Sequence, residues 1–395
     1  MNIVLYAGEA KGVSSLLPIC REAERSNINF WALFSNETEL QFPHKDKDKF
    51  NIISNVPPQD SYWSHGLGCY LPFKPDYFLI QRAQWEPESS LVREFKSSFN
   101  CKVGLVEQNA QCITNIETVL ETFNKNKFTP FIDFFFDHSE WVAETRRFNN
   151  FNGNIIITGN PKYDLNLQVQ EEELDSLRSK YKISPDRKNV LITSIITHTR
   201  PAFFSKIEEF INDHPDYNFF IKPYPGEPFV AQFKNQYRPK FFIPGVTPIL
   251  EELDIWGMFH LCDLHIGCGG SISYSSILLG KEYIDLSVSL GIPQAHFNFD
   301  PYLNSTGIGV EDKAALWVGS MPLNHISDIK EMIPPAYVKE ACKRNQIYQE
   351  AFAAYTAHPT PATRSSLLIF FDSFNDHEAA KRILSSLIRD ELSEK

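Results

Sequence analysis

The sequence predicts an α/β protein of two Rossmann-like, doubly wound domains, and three observations carry that expectation. Short apolar runs without polar alternation recur along the chain, as in strands covered on both faces. Helix-period segments separate them, as the crossovers of a parallel sheet require. The scheme runs once through the first half and restarts near residue 190, and 395 residues suit two domains of ordinary size.

The elements follow in order. Asn2–Tyr6 reads as a buried strand, followed by the loop Gly8-Glu9-Ala10-Lys11-Gly12 and a helix over Val13–Glu24. Further strands are expected at Phe30–Phe34, Tyr77–Gln81, Lys102–Val106 and Phe131–Asp137. A helix at Ser139–Phe148 and a strand at Asn154–Thr158 close the first half. The charge-rich stretch Gln168–Lys182 reads as a helix at the boundary. In the second half, strands are expected at Val190–Ile195, Asn218–Ile221, Asp263–Ile266 and Glu282–Leu286. Helices fall at Ala202–Asn212, near Leu250–Phe259 and at Ser273–Leu279. The chain ends in helical patterns at Ala336–Tyr355, Pro361–Phe374 and His377–Leu392. The expected organisation is therefore 1–165, 166–335, and terminal helices over 336–395 that, by analogy with the fold, cross back to the first domain. No repeat or low-complexity tract interrupts this pattern.

Composition narrows the function. The net charge is −11, which argues against a nucleic-acid binder while leaving room for a local basic pocket. The cysteines at 20, 69, 101, 112, 262, 268 and 342 are odd in number and widely spaced, without a CxxC pair. A disulfide framework or zinc site is not expected, and a reducing compartment is. The start of the sequence lacks a signal peptide's basic region, and no apolar run approaches membrane-spanning length. The expected location is the cytoplasm.

Three segments of the second half carry the chemistry. In Cys262–Leu286 a strand runs into Gly267, Gly269, Gly270, Ser271, Ser273, Ser275 and Ser276 and then a helix. Such a turn presents backbone N–H groups and hydroxyls to a phosphate, although a plain glycine-rich turn with serine caps has the same letters. It is neither a Walker loop nor GxGxxG. Thr197-His198-Thr199-Arg200-Pro201 follows the strand Val190–Ile195. Arg200 is suited to a bidentate phosphate contact and His198 to donation, or the segment is a solvated loop. In Lys222-Pro223-Tyr224-Pro225 the prolines restrain Lys222 and Tyr224, either as ligand contacts or as a rigid exposed turn.

In the first half, Glu107 emerges directly after a buried strand. A carboxylate there suits a general base or a nucleophile, or else a helix cap. Glu9, His65 and Arg82 are further candidates on that side. No HExxH, GxSxG or paired zinc-ligand spacing occurs, so neither metal nor resident cofactor is expected.

Asp133–Asp164, with its Gly159-Asn160-Pro161-Lys162-Tyr163-Asp164 turn, resembles a segment of bacterial CDP-glycerol glycerophosphotransferases and related surface-polysaccharide transferases. Their G-x-P-[RK]-x-D turn leads out of the first domain. The arginine loop, the K-P-x-P segment and the serine-rich helix ending in Gly280-Lys281 follow in the same order, and the likeness spans roughly residues 100–290. It implies a GT-B fold facing an interdomain cleft. It also implies donor-side roles for Arg200, Lys222, Ser273, Ser275 and Ser276, and an acceptor-activating residue near Glu107. Two positions depart from the transferases: Tyr224 replaces the histidine of K-x-H-P, and Glu107 stands where they carry histidine. Val106-Glu107 is similar to the V-E-D-G of capsule-type Kdo transferases, with Gln108 and Asn109 in place of aspartate and glycine.

The resemblance implies a glycosyltransferase. It would move a sugar, such as a Kdo-like acidic sugar, from a CMP-, CDP- or UDP-linked donor to a bacterial capsule or lipopolysaccharide acceptor. A lipid-linked acceptor would bring peripheral contact with the inner membrane. A CDP-glycerol or CDP-ribitol type polyol-phosphate transferase, a UDP-sugar epimerase and a non-catalytic nucleotide-sugar-binding scaffold are the alternatives.

Overall fold

The computed structural model describes residues 1–7, 10–35, 50–56, 71, 73–81, 88–106, 131–148, 153–167, 169–193, 200–223, 245–251, 253–268, 272–286, 290, 347–348 and 350–393. They divide into two compact units. Of the described residues, those up to Leu167 and from Leu368 onward form unit 1, and those from 169 to Leu367 form unit 2.

Unit 1 is a seven-stranded sheet, every strand parallel to its neighbours, in the order β3-β2-β1-β4-β5-β6-β7. The strands are β1 (Asn2–Ala7), β2 (Asn29–Ser35), β3 (Asn51–Val56), β4 (Tyr77–Ile80), β5 (Lys102–Val106), β6 (Phe134–Asp137) and β7 (Asn154–Ile157). Ile3, Val4 and Leu5 of β1 and Phe78 and Leu79 of β4 are fully buried, as central strands with helices on both faces must be. Helix α1 (Ala10–Arg25) follows β1 and α2 (Glu88–Phe99) follows β4. Phe95 of α2 stacks on Phe78 with ring centroids 4.0 Å apart. Helix α3 is Glu140–Phe148 and α4 is Pro161–Leu167. The expected strand at Phe131 begins only at Phe134, because residues 131–133 pair with no neighbouring strand as a ladder.

Unit 2 is a five-stranded parallel sheet in the order β10-β9-β8-β11-β12. Its strands are β8 (Asn189–Thr193), β9 (Asn218–Lys222), β10 (Val246–Pro248), β11 (Leu264–Gly267) and β12 (Glu282–Asp285). Its helices include α5 (Glu171–Tyr181), α6 (Arg200–Asp213), α7 (Asp254–Leu261), α8 (Ser273–Leu278) and α9 (Pro361–Leu368, whose last residue is counted with unit 1). Phe203 and Ile207 of α6 pack with Val190, Ile192, Leu264 and Ile266 in one apolar cluster. The helix expected to reach Phe374 stops at Leu368.

The last helix, α10 (Ala379–Ser393), packs on α1 and α4 within unit 1. The segment Gly159–Asp164, which runs into α4, secures it. Gly159 has φ +84°, and a Cβ there would stand 2.9 Å from a carboxylate oxygen of Asp372. Asp372 accepts from the Asn160 N–H at 3.2 Å and from the N–H groups of Phe374 and Asn375 at 2.8 and 2.9 Å. Asp164 accepts from the first two N–H groups of α10, Ala379 at 3.3 Å and Ala380 at 2.9 Å. The exposed N–H groups of a helix start thus find a buried carboxyl from another element. Burial pushes Asp164 up to about 7 despite those two amides. Arg382 of α10 donates to the Thr158 carbonyl at 2.7 Å. Among the described residues no helix is long and apolar enough to cross a membrane.

Candidate functional site

Strand order locates the site before any side chain does. In unit 2 the chain winds β8, β9, β10 in one direction and then returns to place β11 on the other side of β8. The switch point lies between β8 and β11, and ligands of open α/β sheets bind outside the carboxyl ends of the strands at that point. The register sets a level row there: Thr193 pairs with Lys222, Ile192 with Ile266, and Gly267 with Asp285. The three segments singled out in the sequence leave from this row, on the adjacent strands β9, β8 and β11. With strands roughly 4.8 Å apart, their roots lie within about 10 Å of one another.

At this edge β8 and β9 end in polar side chains, whereas their interiors are apolar. Thr193 is 4% and Lys222 6% exposed, although both end apolar strands. Lys222 Nζ donates to the Glu251 carbonyl at 3.4 Å. Arg200 is the first residue of α6, a 14-residue helix, so its backbone stands at the positive end of that helix. Ser273 likewise opens α8, which has only six residues and a correspondingly small dipole. Ser275 and Ser276 are fully buried within the unit, and Ser276 Oγ lies 2.7 Å from Nδ1 of His265. His198, Tyr224, Gly269, Gly270 and Ser271 lie outside the described residues.

His265 was not singled out in the sequence. It sits on β11, fully buried, with Nε2 2.9 Å from Thr193 Oγ1. Its ring packs against Phe259 and Tyr283 at centroid distances of 5.4 and 5.0 Å. Burial lowers it to about 3, so the imidazole is neutral across the physiological range. The signal available in the sequence was a histidine inside an apolar strand, a position that demands internal hydrogen-bond partners.

Unit 1 repeats the winding. Its switch point lies between β1 and β4, with β5 next in order. Tyr6 pairs with Ile80, and Ile80 with Leu105. Glu9, Arg82 and Glu107 follow the carboxyl ends of β1, β4 and β5, so they grow from three neighbouring strands of one edge. Their side chains, and His65, lie outside the described residues. Gln81 is described; it is buried beyond β4 and donates to the carbonyl of Gly12 in the first turn of α1. Among the described residues no cluster of three His, Cys, Asp or Glu suits a metal ion.

No family model matches the sequence. No curated protein matches it either. Solved structures do. UDP-GlcNAc 2-epimerase from Neisseria meningitidis, bound to UDP-GlcNAc, aligns over 98% of this chain and 100% of its own, with a TM-score of 0.57 and 14% identity. The wall teichoic acid polymerase TagF, in a variant soaked with CDPG, aligns over 100% of this chain and 89% of its own, with a TM-score of 0.56 and 14% identity. The S. aureus MnaA–UDP structure aligns over 97% and 94%, with a TM-score of 0.59 and 12% identity. The chain has the GT-B fold. That agrees with the fold class read from the strand and helix pattern.

Proposed function

We propose that this protein is a GT-B enzyme acting on a nucleotide-activated substrate, and more narrowly a glycosyltransferase. The observation that carries the proposal is the level row at the unit 2 switch point. There Lys222, the segment leading to Arg200 and the glycine/serine turn all start from adjacent strand ends. The ligands named for the three similar structures, UDP-GlcNAc, CDPG and UDP, support a nucleotide as the shared element.

The chemistry follows from the residue types. Arg200, Lys222 and the amides of Gly269–Ser271 would meet the phosphates, and His198 and Tyr224 would flank them. Cations and N–H groups fixed before the reaction stabilise the charge that collects on the leaving nucleotide. Glu107 would take the proton of the acceptor hydroxyl, with Glu9, His65 and Arg82 on the acceptor side. The acceptor class is a bacterial surface glycan or glycolipid; a lipid-linked one would bring peripheral inner-membrane contact.

The test is a panel of CMP-, CDP- and UDP-linked donors with candidate acceptors, read by product mass. A sugar increment supports the glycosyltransferase; a glycerol- or ribitol-phosphate increment supports a polyol-phosphate transferase. A second reading, a UDP-sugar epimerase, draws support from the full-length alignment with the Neisseria meningitidis epimerase. It needs no acceptor, so isomerised UDP-sugar from the enzyme alone would establish it. If no nucleotide donor is bound or turned over, the proposal is wrong. Tight binding without turnover on any acceptor would leave a nucleotide-sugar-binding scaffold.

A further inference from the structure

Beneath the switch-point edge, a hydrogen-bond chain crosses the core of unit 2. It runs from Thr193 at the end of β8, through His265 on β11, to Ser276 on α8, with contacts of 2.9 and 2.7 Å. All three side chains are at least 96% buried: Thr193 is 4% exposed, His265 and Ser276 not at all. The chain joins the roots of the segments proposed to hold the nucleotide. Thr193 ends the strand that leads to the arginine segment and pairs in register with Lys222. Ser276 lies in the helix that ends the glycine/serine turn.

Such an arrangement is costly unless it serves a purpose. A neutral imidazole offers one donor and one acceptor, so one hydroxyl must donate to the ring and the other accept from it. Leucine or valine would fill the same space without that demand, and the strand around His265 is otherwise apolar. Helix α8 has six residues, too few to hold its direction unaided. It is anchored on this side by Ser276 and elsewhere by a hydroxyl–hydroxyl bond between Tyr274 and Tyr348. A turn that must bring backbone amides to a phosphate within a fraction of an ångström depends on what fixes its exit.

We propose that His265 is the positioning residue of the nucleotide site, holding the glycine/serine turn in register with the arginine and lysine segments through Thr193 and Ser276. The inference rests on the reading of unit 2 as the nucleotide-binding half. His265 touches no ligand; it acts through the two hydroxyls. Because burial keeps the ring uncharged, its hold does not change over the working pH range.

The experiment measures binding of UDP, CDP and CMP by calorimetry, alongside ligand-free unfolding in denaturant. His265→Leu is expected to weaken binding of the preferred nucleotide by at least about tenfold. His265→Gln, which keeps one donor and one acceptor, should restore most of it. Thr193→Val and Ser276→Ala should each weaken binding, and combining Ser276→Ala with His265→Leu should add little, as for members of one network. Phe259→Leu, a core truncation beside the ring, should lower stability and leave affinity within about twofold of wild type. These results together support the role. If His265→Leu binds like wild type, or Phe259→Leu loses as much affinity at equal loss of stability, the positioning role is overturned. Should His265→Leu fail to fold, the Thr193→Val and Ser276→Ala variants decide the matter by the same criteria. A wild-type protein that binds none of the three nucleotides overturns the reading of unit 2 instead.

Discussion

The two units wind the same way but finish their strands differently. In both, the first strand sits inside, the next two step outward on one side, and the fourth returns to the other. At the equivalent edge, unit 2 presents buried Thr193 and Lys222, with His265 opposite Leu191, two residues before Thr193. Unit 1 presents Ala7, Ile80 and Val106, and the polar residues proposed to act there come only in the segments that follow. One topology thus supports two designs. In unit 2 the groups proposed to bind begin within the sheet, where packing fixes them. In unit 1 the sheet supplies only the platform. On the proposed reading, a fixed cation at Lys222 would suit a phosphate whose position does not vary, whereas an acceptor would differ from one glycan to another.

The largest expected effects separate the halves by kinetics. Glu107→Gln should lower turnover by about 10²–10⁴-fold with nucleotide affinity unchanged, if it is the general base. Lys222→Ala should weaken nucleotide binding and transfer together, by about 10²-fold, since on the proposed reading it removes a charge that stabilises the leaving nucleotide. Steady-state rates with isothermal binding would distinguish them. Equal losses of affinity in both variants would erase the division of labour.

Next in size is a pH effect confined to unit 1. Asp164 holds its proton up to about 7 in the folded protein, because burial outweighs its amide partners, against 3.8 when unperturbed. Between those values the unfolded chain gives up the proton while the folded one retains it. Stability therefore falls as pH rises from about 4 to 7 and levels off above. At about 1.4 kcal/mol per unit, the ceiling is on the order of 4 kcal/mol. Asp164→Asn should flatten that slope, and denaturant melts at pH 5 and 8 would reveal it. An unchanged slope would show that Asp164 ionises normally. The smallest effect is Gly159→Ala, where a positive φ and the Asp372 carboxylate oppose a Cβ. It should cost about 1–3 kcal/mol in the same melts.

Much of this was legible in the sequence, for identifiable reasons. Strands such as β1, β4, β5 and β8 are continuous apolar runs, and burial on both faces writes itself into composition. β3 was missed because Asn51, Ser54 and Asn55 interrupt its apolar letters at a sheet edge. β10 was missed because three residues ending in Pro248 carry almost no pattern. Helix α4 was read as a turn: Pro161 looks like a breaker, yet a proline in the first turn suits a helix start. The three segments proposed to hold the nucleotide stood out because strand-end loops carry unusual residues. His265 was not, because its meaning depends on partners 72 and 11 positions away in the chain. Periodicity records which face a residue occupies, not what it meets there.

The docking of α10 onto α1 and α4 reverses the order in which the protein can be completed. On a ribosome, residues 1–167 emerge before unit 2, but the helix that covers them is made only after it. Unit 2 has nearly all its own elements in hand while the earlier-made half still exposes the faces of α1 and α4. The nascent unit 1 must therefore wait, part-finished, while unit 2 is made, and it is the unit that a chaperone would be expected to hold.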